Sequence, residues 1–262
     1  MNQSLTILKV GGQIVEEDAS LQALLDHIAA LPGPKVLVHG GGRTATRLAT
    51  LLGIPTRMAQ GRRITDDATL RIVTMVYAGL VNKNIVAQLQ ARGINAIGLT
   101  GADANLILAE RRPPQQGLDY GYVGDVRHVD APALARLIRQ GLLPVLAPIT
   151  HDQHGQLLNT NADTIAGQTA QALAPHFQVT LTFCFEKPGV LDPNNQVIPR
   201  LTPERFHQLQ AQGTIREGMI PKLQNAFQAL QAGVHEVIIT QADDPAGIHG
   251  THITAEGGVN NE

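Results

Sequence analysis

Lysine is scarce in this chain: Lys9, Lys35, Lys83, Lys187 and Lys222 stand against fifteen arginines. A protein that keeps itself soluble with arginine has little routine use for lysine, so each position raises its own question. Lys9 follows Leu5, Ile7 and Leu8 in a run that should be covered on both faces, and Gly11 and Gly12 come directly after Val10. An unpaired ammonium there is costly to desolvate. Glycines open the backbone for close approach, so the pattern suits a cation held at an anion site; the alternative is a lysine that reaches solvent from a strand end. Lys222 stands in "GMIPKLQNAF" (218–227), where Ile220, Leu223 and Phe227 share a helical face with Leu230, and Pro221 is tolerated only in the first turn. That puts a cation at the positive end of a helix dipole, the wrong end for a structural charge. A bound anion would remove the conflict, and a solvated flank is the alternative.

"KVLVHGGGRTAT" (35–46) reads as a strand, a glycine turn and a helix, the order of a phosphate cradle, yet it lacks the Lys-Ser/Thr of a Walker P-loop. Gly40-Gly41-Gly42-Arg43-Thr44-Ala45 also satisfies G-x-G-x-x-A. Dinucleotide binding further needs an acidic residue ending the next strand about 20 residues on, and "MAQGRRITDD" brings no apolar strand to Asp66. The glycines can still offer N–H groups at a helix N-terminus to an anion that is not a nucleotide. In "LLNTNADTIAG" (157–167) Asn161 or Thr160 caps a helix, and Asp163 in its first turn suits the dipole. Asn159 lies before the cap and is not explained by it. Lysines far apart in sequence, glycine turns and an orienting aspartate point to phosphoryl transfer, which is catalysed mostly by positioning and charge neutralisation.

Composition removes other chemistries. Serine occurs only at Ser4 and Ser20, which leaves a serine hydrolase almost nothing to stand on. A net charge of −2 exerts no broad pull on nucleic acid or anionic membrane. Aromatic residues at 3%, without tryptophan, make base-stacking platforms improbable. The single Cys184 excludes an intramolecular disulfide and suits a reducing cytoplasm. No signal-peptide pattern opens the chain, and no apolar run reaches the roughly 20 residues of a bilayer span. The expectation is a cytoplasmic protein.

The elements that must position these residues alternate between strand and helix. Strands are expected at 5–10, 35–38, 94–100, 142–148, 179–185 and 236–240. Helices are expected from 19 to 30, from the glycine turn to Gly53, from Asp66 to Arg92 before Gly93, from Asp130 to before Gly141, and near 162–174, 203–212 and 219–232. Residues 104–126 read as β-hairpin material around "RRPPQQG", and the last residues, "TAEGGVNNE", as a frayed tail. This alternation implies a mainly parallel sheet with helices on both faces. A division between two lobes is expected near residue 175.

The order and spacing of "KVGG", "VHGGG", "GRRIT", "LVNKNIV", "GLTGAD", "GYVGDV", "LNTNADTIAG", "PGVLD", "GMIPKL" and "GTHI" resemble the amino acid kinase family, among its acetylglutamate kinases, over nearly the whole chain. The resemblance implies a three-layer α/β/α sandwich around a mostly parallel central sheet. Residues 1–175 would bind N-acyl-L-glutamate and dimerise, and 176–262 would bind MgATP, with no metal ligand from the protein. The reaction implied is phosphorylation of the side-chain carboxylate of N-acetyl-L-glutamate. Lys9 would neutralise the transferred group, Lys222 would hold phosphates on the leaving side, and Asp163 would orient both. Gly12 and Gly41 would donate N–H groups to the group in flight. Gly41 and Gly42 would touch the acceptor, Arg63 would pair with its α-carboxylate and Asn159 would bond its backbone. Glu186, Gly189, Leu191 and Ile215 would join Lys9 and Lys222 around the nucleotide. Arginine-inhibited members carry an extra N-terminal helix that links dimers into a ring. With only Met1 to Ser4 before the first strand, a homodimer without arginine inhibition is expected.

One stretch departs from the family. Where a "TDVxG" is usual, this chain reads "CFEKPG" (184–189); Glu186 stands in for the aspartate, and Lys187 reads as a loop lysine. That departure resembles a branch acting on N-succinylglutamate, for whose extra carboxylate Arg43 and Arg62 are the visible cations. More distant alternatives are a dinucleotide-dependent oxidoreductase and a non-catalytic amino-acid sensor. "HDQH" (151–154) and "HGTH" (249–252) read as surface hairpins rather than zinc sites, Lys83 as structural or interfacial, and Cys184 as buried and inert.

Overall fold

The structure is a computed structural model that describes residues 2–115, 117–215 and 219–255. The expected frayed tail falls mostly outside them. In chain order the elements are β1 (Ser4–Val10), α1 (Gly12–Glu16), α2 (Asp18–Ala30), β2 (Lys35–His39), α3 (Gly42–Leu51), and a small hairpin of β3 (Arg57–Ala59) and β4 (Arg62–Ile64). The long helix follows as α4 (Asp67–Val73), a π-helical segment (Thr74–Val81) and α5 (Asn82–Ala91). Next come β5 (Ala96–Leu99), β6 (Ile107–Arg111), β7 (Gly124–Val129), α6 (Ala131–Arg139), β8 (Leu143–Leu146), β9 (Ile149–His151), β10 (Leu157–Asn159) and α7 (Ala162–Leu173). The chain continues with β11 (Gln178–Phe185), β12 (Arg200–Leu201), α8 (Pro203–Ala211), α9 (Ile220–Gln231), β13 (Glu236–Gln241) and β14 (Thr251–Ile253).

Helix starts follow local chemistry. Asp66, Asp130, Asn161 and Thr202 accept backbone N–H groups as N-caps of α4, α6, α7 and α8, and a proline sits in the first turn of α6, α8 and α9. The principal sheet has the order β12-β14-β13-β11-β1-β2-β8-β5, and its pairs are parallel except β13 with β14. Helices cover both faces, making the α/β/α sandwich. The sheet runs unbroken across residue 175, because β1 pairs with β11 along its length. A smaller sheet, β10-β9-β6-β7, and the β3–β4 hairpin close one end.

The period of two along β1 decides what each residue meets. Leu5 and Ile7 face the layer containing Ile165 and Ala166 of α7 and Leu223 of α9. Leu8 and Val10 face the other layer, with Leu24 of α2 and Val73 of the long helix. Lys9 shares the parity of Leu5 and Ile7, so it emerges beneath the starts of α7 and α9. By length and mean hydropathy the helix 67–91 could cross a bilayer, contrary to the sequence expectation. It lies instead in the second layer, burying Leu70, Ile72, Val73, Val76, Val81, Ile85 and Leu89.

Some elements were not expected. The pair β3–β4 and the strands β12 and β14 hold two or three residues each, too few to show periodicity. "HDQH" is the turn between β9 and β10. "HGTH" is not a hairpin: His252 lies within β14, its Nδ1 2.7 Å from Glu236 and its Nε2 2.9 Å from the Gly247 carbonyl. Among the described residues no group of three His, Cys, Asp or Glu side chains is placed to hold a metal ion.

Candidate active site

The site lies beyond the carboxyl ends of β1, β2 and β11. β1 is where strand order reverses, with β2 and β11 on its two sides, and open parallel sheets leave a crevice at such a point. The turns after β1 and β2 touch back to back. A Cβ on Gly12 would lie 3.2 Å from the Gly41 nitrogen, and one on Gly40 3.0 Å from the Gly12 nitrogen. Gly41 has φ 157°, and a Cβ there would press on the Tyr77 ring at 3.0 Å. Tight contact and the positive φ of Gly41 thus both favour glycine at this junction. Glu16 of α1 ties the turns together by accepting the Thr44 N–H at 2.7 Å.

Beneath the second turn is a buried polar chain. His39, fully buried, has Nδ1 2.7 Å from the Gly40 carbonyl and Nε2 3.1 Å from Asn82 Nδ2. A carbonyl only accepts, so Nδ1 carries the proton and Nε2 accepts from the amide. Burial holds this imidazole neutral, pushing its pKa down to about 4 against the raising effect of the Gly40 bond. Asn82 also donates to the Val145 carbonyl, and Lys83 donates to Asn82 and to the Gly98 carbonyl. Lys83 is thereby a structural lysine.

Lys9 meets Asp163 as its strand parity requires. Nζ is 2.7 Å from Oδ1, an ion pair rather than a well-directed hydrogen bond, and only 7% of Lys9 is exposed. Asp163 sits in the first turn of α7, just past the Asn161 cap. Phe185, the last residue of β11, lies under both lysines: its ring centroid is 3.8 Å from Lys222 Nζ and 5.0 Å from Lys9 Nζ. A cation over an aromatic face is attracted by the ring quadrupole. Burial, and then the neighbouring Lys9, hold the Lys222 pKa below the usual lysine value, with Asp163 and Glu186 opposing. Two cations, one carboxylate and one aromatic ring thus share a few ångströms.

A cavity opens on this cluster, and a smaller one adjoins it through Gly42 and Arg63. The larger, of about 960 Å³, is lined by Gly12, Gly42, Arg63, Glu186, Gly189 and Lys222 among others. The smaller, of about 210 Å³, is lined by Gly41, Gly42, Arg62, Arg63, Tyr77 and Asn159 among others. Arg63 stands at both, donating Nη2 to the Gly42 carbonyl and Thr46, each at 2.8 Å. Arg43 lines the larger cavity and faces Glu186 across it at 3.9 Å. Arg62 lines the smaller one, its pKa lowered by burial and by Arg112. Leu191 and Ile215 are not on either wall: Leu191 bridges to Val197, and Ile215 is buried in the core. Lys187 lines the larger cavity rather than joining the lysine pair. Cys184 is buried, and that burial pushes its thiol up to about 12, out of reach of ordinary reactivity.

Residues the sequence reading missed complete the walls. Phe185 has as its only signal the end of an apolar strand ahead of the altered loop. Tyr77 comes from the π-helical segment, where an extra residue per turn re-aims side chains. Burial raises its phenol pKa, opposed by Arg63. The dinucleotide arrangement is not built: Asp66 caps α4 instead of ending a strand of the principal sheet.

The profile of the Amino acid kinase family matches residues 4–241. An acetylglutamate kinase of Phocaeicola vulgatus is 62% identical over 245 residues, covering 92% of this chain and 95% of its own. An acetylglutamate kinase of Bacteroides thetaiotaomicron is 59% identical over 256 residues, covering 97% and 99%. In three dimensions, the crystal structure of smu.665 from Streptococcus mutans superposes with a TM-score of 0.80 at 28% identity, covering 96% of this chain and 99% of that one.

Proposed function

The chain belongs to the amino acid kinase family, and from that premise we propose that it transfers the γ-phosphoryl group of ATP to the side-chain carboxylate of N-acetyl-L-glutamate. The products are ADP and N-acetyl-glutamyl 5-phosphate, and the step belongs to arginine biosynthesis. The observation that carries this reading is the convergence of Lys9, Asp163 and Lys222 beside two glycine turns, where two cavities share Gly42 and Arg63.

In the transfer, a carboxylate oxygen forms a bond to the γ-phosphorus. The bond to the β–γ bridging oxygen breaks, and its electron pair leaves with ADP; no proton need move. Charge accumulates on the γ-oxygens and the bridging oxygen, so groups aimed there lower the barrier. Lys9 and the N–H groups of Gly12 and Gly41 serve the group in flight, and Lys222 serves the leaving side. Asp163 holds Lys9 against its like-charged neighbour. The acceptor occupies the smaller cavity, its α-carboxylate on Arg63, its chain along Gly41 and Gly42, and its amide on Asn159. The nucleotide occupies the larger cavity beside Glu186 and Gly189. Mg²⁺ brought in with the nucleotide would supply further neutralisation of phosphate charge beside Lys9 and Lys222.

Residues 1–175 then hold the acceptor and residues 176–262 most of the nucleotide. Leu51, Leu52, Met75 and Leu80, exposed at 53–77% at the end of α3, in its C-cap and in the π-helical segment, offer apolar surface for a two-fold homodimer. The single buried Cys184 suits the reducing cytoplasm in which we place the enzyme. The test is ATP-dependent hydroxamate formation, in which hydroxylamine traps the acyl phosphate, run with N-acetyl- and N-succinyl-L-glutamate. Hydroxamate from the acetyl compound is the expected result. None from either compound refutes the activity, and a preference of about tenfold for the succinyl compound reassigns the acyl group.

A further inference from the structure

The side chain of Asn159 is held by one neighbour. Its Nδ2 lies 3.0 Å from the hydroxyl of Thr65, a fully buried residue ninety-four positions earlier in the chain. The same hydroxyl lies 2.9 Å from the Arg63 carbonyl. A hydroxyl has one proton and a carbonyl can only accept, so that proton is committed to Arg63. Toward Asn159 the hydroxyl offers lone pairs alone. Asn159 must therefore turn its NH2 to Thr65, which spends one of the two N–H protons and leaves Oδ1 without a donor among the described residues, on a residue lining the smaller cavity.

Thr65 has little freedom to change this. Its N–H donates to the Tyr120 carbonyl at 2.9 Å, and its carbonyl accepts the Tyr122 N–H at 2.7 Å. Gly121, at φ 71°, passes so close that a Cβ there would collide with the Thr65 carbonyl. Asn159 is fixed from the other side, its own N–H donating to Tyr122 at 2.8 Å. The segment Tyr120–Tyr122 thus clamps both residues by their backbones.

We propose that Thr65 is a specificity-determining positioning residue: through its hydroxyl it locks the Asn159 amide so that the site presents an acceptor, and so selects acceptors bearing an N–H beside the α-carbon over isosteric esters. This rests on the acyl-glutamate reading above. An amide N–H satisfies Oδ1; an ester oxygen in its place sets two acceptors against each other, and sites built to bond a donor reject analogues that lack it. The distinction comes from one proton on a residue that never touches the substrate.

The test compares kcat/KM for N-acetyl-L-glutamate with that for its ester counterpart, 2-acetoxyglutarate, by coupled ADP release in wild type, Thr65→Val and Thr65→Ser. Wild type should prefer the amide by about tenfold or more. Thr65→Val keeps the shape and frees the Asn159 amide to rotate. It should raise KM for the amide severalfold, leave KM for ATP unchanged and bring the ratio toward one. Thr65→Ser should restore the wild-type ratio. An active Thr65→Val with the wild-type ratio, or a Thr65→Ser that behaves like valine, overturns the assignment. Should Thr65→Val fail to fold, Asn159→Ala leaves Thr65 in place and must itself bring the ratio toward one; an unchanged ratio again overturns it. A wild type that phosphorylates neither compound overturns the acyl-glutamate reading, and this inference with it.

Discussion

Replacing Asp163 by asparagine keeps the shape of the site and removes one charge. The carboxylate lies 2.7 Å from Lys9 Nζ, with side-chain exposures of 28% and 9%. At an effective dielectric constant of 20, two unit charges this close attract by about 6 kcal/mol before desolvation is counted. Removing one partner of a buried pair costs about 3–5 kcal/mol, because the remaining charge is left uncompensated. Asp163 is partly solvated, so the lower end applies, about 3 kcal/mol. Lys222 makes matters worse for the variant, since both ammonium groups contact the Phe185 ring and then repel without a screen. Urea unfolding at pH 7 should show Asp163→Asn less stable by about 3 kcal/mol with an unchanged m-value. Turnover should fall about 10²-fold as Lys9 leaves its position. The decisive measurement is the double variant Lys9→Met/Asp163→Asn, which removes the stranded charge and should be more stable than Asp163→Asn alone. A loss under about 0.5 kcal/mol in the single variant, or strictly additive effects in the double, would refute the reasoning.

Lys9→Ala and Lys222→Ala should each lower kcat by about 10²-fold or more, read in the hydroxamate assay; wild-type turnover in either removes that lysine from the mechanism. Arg63→Ala should raise KM for the acyl amino acid and leave KM for ATP nearly unchanged, and a selective rise for ATP would show the two cavities assigned in reverse. Lys222 is held below 10.5 by burial, so the folded protein releases this proton at a lower pH than the unfolded chain. In the window between the lowered value and 10.5 the unfolded chain binds more protons, so this group's contribution makes stability rise with pH while activity falls as the cation is lost. Parallel loss of both across that window would contradict the assignment. Gly98→Ala would drive a Cβ into Asn82 Oδ1 and within 2.6 Å of Lys83 Nζ. Thermal unfolding should show a loss of about 1–3 kcal/mol, with kcat reduced because His39 and the Gly40 turn shift with Asn82.

What could be read from the sequence was whatever neighbours along the chain decide. Apolar runs mark β1, β2, β11 and β13, caps and prolines mark the helix starts, and the glycine turns announce themselves because a close backbone approach favours glycine. Lys9 and Lys222 stood out for the same reason, each in conflict with its own local setting. The short strands β3, β4, β12 and β14 escaped, since two or three residues carry no period, and so did the π-helical segment that aims Tyr77, because its composition matches an ordinary helix. Other features have no local signature at all. Thr65 meets Asn159 only because Tyr120–Tyr122 clamps both, and His39 meets Asn82 only because the long helix packs over β2 and β8. Phe185 underlies two lysines only because β11 pairs with β1 in a register that sets Lys9 beside Phe183. Those contacts depend on strand register and helix docking, which the whole core settles together by excluding water from both faces of the sheet. The chain therefore announced its candidate groups, and packing alone decided which side chains hold them in place.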